Sequence, residues 1–102
     1  MEEANPFYTL EDIRRLRLQI MELARQHRAR QVSVFGSIVR GEMHKDSDID
    51  FLVDFEEEYS LLDHPGLLVG LEDLLGCKVD VAPRRALRPF QRDAVISEAQ
   101  EL

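Results

Sequence analysis

The stretch from Val32 to Phe55 constrains this chain more than any other part of it. A β-branched run, Val32-Ser33-Val34-Phe35, breaks at Gly36-Ser37. Ten residues later Asp48-Ile49-Asp50 opens a second run in which Ile49, Phe51, Val53 and Phe55 alternate with Asp48, Asp50, Leu52 and Asp54. Alternation of period two belongs to a strand with one apolar face and, here, one largely acidic face. Two strands are therefore joined through a glycine turn, and the second begins on a pair of carboxylates. Ser37 is suited to cap a short helix running to about Glu42, followed by a loop over residues 43–47.

The flanking sequence predicts what packs on these strands. Thr9 with Asp12 forms a capping-box pattern at the start of a helix. Ile13, Leu16, Ile20, Leu23 and Ala24 recur there at helical spacing. The last turn of this helix is read as carrying Arg25, His27, Arg28 and Arg30, favourable charges at a C-terminus; His27 belongs to that end. The first strand is read over residues 31–35. Residues 56–65 read as a loop. Residues 66–75 form a helix on Leu67, Leu68, Leu71, Leu74 and Leu75, stopped by Gly76. Lys78-Val79-Asp80-Val81-Ala82 is a third strand, ended by Pro83. A last helix is expected over residues 85–100, with Leu87, Phe90, Ala94 and Val95 toward the core and Pro89 disturbing its first turns. The order α-β-α-β-α-β-α points to a small α/β sandwich with helices packed on one sheet; periodicity does not say which strands are parallel.

The length of 102 residues with 44% hydrophobic content fits one domain spanning 1–102. Cys77 is the sole cysteine, which excludes an internal disulfide and points to a reducing compartment; it reads as a small apolar residue near a helix end. No apolar run approaches the roughly 20 residues of a membrane span. The acidic opening Met1-Glu2-Glu3-Ala4-Asn5 lacks the features of a secretory signal. These features describe a soluble cytoplasmic protein. A net charge of −7 argues against a general nucleic-acid binder. The charge is uneven: Asp54 and Glu56 to Glu58 form an acidic block, and Arg84, Arg85, Arg88 and Arg92 a basic one.

Asp48 and Asp50, two apart on a strand, project to one face with Cα atoms roughly 6.5 Å apart. Carboxylates this close repel, and a divalent cation compensates them. Magnesium suits a few carboxylates completed by substrate phosphates. Asp80, flanked by Val79 and Val81, faces away from its neighbours. If its strand lies beside the Asp48–Asp50 strand, three carboxylates converge, enough for a two-metal site. Gly36 lets backbone approach a phosphate without a Cβ, and Ser37 offers a hydroxyl. Arg40, one turn on, adds positive charge or braces Asp48 or Asp50. Lys45 reads as a solvated side chain.

The pattern Val-Phe-Gly-Ser-Ile-Val-Arg-Gly-Glu, then Asp-Ser-Asp-Ile-Asp-Phe-Leu-Val, then Val-Asp-Val resembles the nucleotidyltransferase domain of the DNA polymerase β superfamily. Within it, the chain looks most like the minimal nucleotidyltransferases (MNT) of prokaryotic HEPN–MNT toxin–antitoxin modules. The resemblance implies metal-binding catalytic aspartates at Asp48 and Asp50 and a third carboxylate at Asp80, which also helps deprotonate the attacking hydroxyl. It implies a mixed sheet of about three or more strands, and phosphate binding at Gly36 and Ser37. It further implies two Mg2+ ions, ATP as co-substrate, and transfer of AMP to a tyrosine hydroxyl of a HEPN ribonuclease toxin. Self-association or a larger complex with the toxin is also implied. The size agrees: the chain has room for a nucleotide site and little left for an acceptor pocket. Residues 56–65 and the arginine-bearing last helix are candidate partner contacts. Two other readings remain: a non-catalytic module that neutralises the toxin by occlusion, and transfer to a small-molecule acceptor.

Overall fold

The computed structural model describes residues 8–102. The acidic opening, residues 1–5, lies outside them. The elements are α1 (Leu10–Arg15), α2 (Arg17–Gln26), β1 (Ala29–Phe35), α3 (Ser37–Arg40), β2 (Ile49–Phe55), α4 (Asp63–Leu75), β3 (Val79–Pro83), a 3-10 turn (Arg84–Ala86), α5 (Pro89–Glu98) and β4 (Gln100–Glu101). The strands form one mixed sheet in the order β3-β2-β1-β4. β1 runs antiparallel to both β2 and β4, and β2 runs parallel to β3.

One face of the sheet carries the core. Ile49, Phe51, Val53 and Phe55 of β2 are buried against Val32 and Val34 of β1, Val79 and Val81 of β3, and the inward residues of the helices. α4 contributes Leu67, Leu71 and Leu75, four residues apart and hence on one helical face. α2 contributes Ile20 and Ala24, and α1 contributes Ile13. Leu52 departs from the expected solvent-facing alternation. It shares the Asp50 face yet is buried, because β2 lies inside the sheet with Ser33 and Ala82 on either side.

The expected first helix is two. The Thr9 capping box forms as anticipated, with the Asp12 N–H donating to Thr9 Oγ1 and the Thr9 N–H to Asp12 Oδ2, but the helix is interrupted at Leu16. Its continuation stops at Gln26, so Arg28 and Arg30 are not in its last turn. Arg28 adopts φ +58°, which reverses the chain and starts β1 at Ala29, two residues earlier than expected. α4 likewise begins three residues early, since Pro65 is tolerated in a first turn.

The largest correction lies at the C-terminal end. In place of one helix over residues 85–100 there is a 3-10 turn, an extended pair at Leu87 and Arg88, and a helix with Pro89 at its first position. α5 buries none of its residues, and Phe90 is 79% exposed. A strand unforeseen from the sequence, β4, then adds to the edge of β1, and the Leu102 N–H donates to Val32 O at 3.0 Å.

Candidate active site

β2 and β3 carry the acidic residues into register. Their pairing sets Asp50 opposite Asp80 and Ile49 opposite Val79, with Val79 and Val81 buried and Asp80 exposed. The expectation that the two strands are neighbours is met, and parallel pairing puts Asp80 on the Asp50 side. Asp48 lies one residue before β2 rather than within it, because the ladder opens with the Ile49 N–H donating to Lys78 O. It is exposed, while Asp50 is half-buried.

The glycine turn arrives from the other flank. Phe35 pairs with Asp50, so Gly36 follows directly beside that carboxylate. Gly36 has φ +80° and ψ −147°, a region held almost solely by glycine. A Cβ there would run into Asp50 Oδ2. The turn is thus shaped by two demands that only glycine meets. Ser37 is not the cap of the next helix: Gly36 takes the N-cap position and Ser37 is the first helical residue, with no side-chain capping bond. α3 spans four residues instead of reaching Glu42, ended by Gly41.

Electrostatics single out Asp50. Burial, then the charges of Asp80 and Asp48, push its pKa up to about 6, with Arg40 opposing. Arg40 does not brace either aspartate. Its Nε donates to Glu42 at 2.9 Å and its Nη1 to Glu98 Oε2 at 2.7 Å. Glu98 Oε1 also accepts the Gly36 N–H at 2.8 Å. The Glu98 carboxyl is held below the usual carboxylate range by the Arg40 hydrogen bond and then by the Gly36 amide. Sequence reasoning missed Glu98, and no local signal marks it.

A polar cavity of about 320 Å³ opens beside Asp48, lined by Lys45, Ser47, Cys77 and Lys78 among others. Among the described residues no group of three or more His, Cys, Asp or Glu side chains is gathered closely enough to hold a metal ion by itself, so the three aspartates are not drawn together into a preformed site. The donor set nevertheless fits magnesium. Carboxylates at Asp48, Asp50 and Asp80 are hard oxygen ligands, no cation pairs with them among the described ion pairs, and magnesium takes its remaining positions from phosphates and water.

Comparison with known proteins sets this fold among nucleotide-transfer enzymes. A nucleotidyltransferase domain model matches residues 13–102. The protein adenylyltransferase MntA of Thermococcus cleftensis is 44% identical over 91 residues, covering 88% of this chain and 92% of the relative. A solved structure provisionally named a minimal nucleotidyltransferase superposes with a TM-score of 0.84 at 45% identity, covering 96% of this chain and all of that one. A structure of a tri-AMPylated Shewanella oneidensis HEPN toxin with its MNT antitoxin shares the fold, with a TM-score of 0.65 at 19% identity over 86% of this chain and 69% of that one. The chain belongs to the nucleotidyltransferase domain family and is a nucleotidyltransferase with the minimal form of that fold.

Proposed function

We propose that the chain is a protein adenylyltransferase that moves AMP from ATP onto a tyrosine hydroxyl of a HEPN-type toxin, and thereby acts as its antitoxin. The observation that carries this reading is the register of Asp50 with Asp80, closed on the opposite side by a Gly36 turn lying against Asp50. The names of the relatives support the acceptor class: one is a protein adenylyltransferase, and another is an MNT antitoxin bound to a HEPN toxin carrying AMP.

In this reading Asp48, Asp50 and Asp80 would hold two Mg2+ ions. When bound, magnesium neutralises charge on the triphosphate and lowers the pKa of an oxygen it binds. Gly36 admits the triphosphate close to the backbone, Ser37 supplies a hydroxyl donor, and Arg40 supplies positive charge. The acceptor oxygen forms a bond to the α-phosphorus while the bond to the bridging oxygen breaks, and pyrophosphate leaves with that electron pair. Asp80, exposed at the mouth of the site, takes up the hydroxyl proton. The acceptor tyrosine arrives on the toxin, in a complex of the two chains.

Growth of cells expressing the toxin tests this reading against occlusion. Asp48→Ala, at wild-type abundance, is expected to lose protection. Continued protection by that variant would transfer the antitoxin role to binding alone.

A further inference from the structure

We propose that Glu98, at the far end of the chain, is a positioning residue for the nucleotide site. Its placement follows from sheet register. β4 pairs Gln100 with Val34 and Glu101 with Ser33. Continuing that antiparallel register two residues further brings Glu98 opposite Gly36. There the ladder has given way to a helix end, and the Glu98 side chain takes over the role of the missing strand. One carboxylate oxygen accepts the Gly36 N–H at 2.8 Å and the other accepts from Arg40 Nη1 at 2.7 Å.

A carboxylate as the last residue of a helix faces the negative end of the helix dipole. Two charge-assisted hydrogen bonds offset that unfavourable location. What they fix is specific. Gly36 sits in a conformation with no side chain to restrain it, against Asp50. The Arg40 guanidinium is held by Glu98 through Nη1 and by Glu42 through Nε, which sets the plane in which its remaining donors project. Glu98 therefore couples the phosphate turn and the arginine into one rigid unit, anchored to the sheet by β4. α5 buries no residue of its own, so its tether to the body runs through this carboxylate and the β4 pairing that follows it.

This inference rests on the nucleotidyltransferase reading of the site. It is tested by titrating ATP in magnesium buffer into the wild-type chain and into Glu98→Ala and Glu98→Gln, with AMP transfer measured in parallel. Glu98→Ala is expected to bind ATP at least tenfold more weakly. Glu98→Gln, which keeps an acceptor for Gly36 but removes the carboxylate charge facing Arg40, is expected to fall between. In transfer, KM for ATP should rise more than kcat falls; a residue that merely holds α5 in place would lower the melting temperature and leave KM unchanged. Equal or tighter ATP binding by folded Glu98→Ala overturns the proposal. So does a wild-type Gly36 amide that exchanges with solvent as fast as a free loop amide, whatever the variants do. If the wild-type chain binds ATP but transfers no AMP, the proposed function falls, and the affinity ratio still decides the role of Glu98.

Discussion

Asp50→Asn removes a charge that the fold tolerates only for function, so the variant should be more stable and inactive. In the native chain Asp50 titrates near 6 rather than 3.8, with burial as the first cause and the neighbouring Asp80 and Asp48 charges after it. At 1.36 kcal/mol per pKa unit, that shift sets a ceiling of about 3 kcal/mol on the penalty for ionising Asp50 in the folded state. Asp50 keeps some solvent access, which reduces the penalty to about 1–2 kcal/mol. The sign follows from linkage. Below about pH 4 the carboxyl is protonated in both folded and unfolded chains, and the wild type carries no penalty. As pH rises through 4 to 6, the unfolded chain releases the proton first and wild-type stability falls. The advantage of the asparagine therefore appears over that window and is complete above it. Urea denaturation of both proteins at pH 4 and pH 7.5, without magnesium, measures it. At pH 7.5 the variant should be more stable by about 1–2 kcal/mol, read as a higher urea midpoint. Millimolar magnesium should narrow the gap by stabilising only the wild type. A variant no more stable at pH 7.5, or a gap that does not close toward pH 4, would refute the reasoning.

Gly36→Ala should cost about 2–4 kcal/mol, from a backbone conformation that suits glycine and from a Cβ driven into Asp50; it should also abolish transfer, and denaturation with a transfer assay reads both. Phe90→Ser should change stability by less than about 0.5 kcal/mol, since the ring is exposed. Phe51→Ala, in the centre of β2, should cost about 3–5 kcal/mol in the same assay.

The parts of this site that are legible in sequence are the local ones. A strand pattern, a glycine, and aspartates two residues apart are each set by a few neighbouring residues, so Gly36 and Asp50 fall where expected, while Asp48 stops one residue short of its strand. Asp80 joins them only on condition, because adjacency of β2 and β3 is a long-range fact that period-two alternation does not encode. Ser37 illustrates a different limit: its hydroxyl suits an N-cap by type, yet the positive φ of Gly36 shifts the cap back one residue. Phe90, Ala94 and Val95 have helical spacing in the sequence, but α5 meets the body through its end rather than along an apolar face. Glu98 was invisible for the same reason. Its meaning depends on β4, two residues long, and on a register that only the folded sheet supplies.

Asp48, Asp50 and Asp80 are proposed to serve AMP transfer to a partner protein. Intact-mass measurement of a purified HEPN partner, after incubation with this chain, ATP and magnesium, tests it most directly. The partner should gain the mass of one or more AMP groups, placed on tyrosine by peptide fragmentation, and should gain none when Asp48→Ala or Asp50→Ala replaces the wild type. An unmodified partner in the presence of folded, ATP-binding wild-type chain, or equal modification by the aspartate variants, would contradict it.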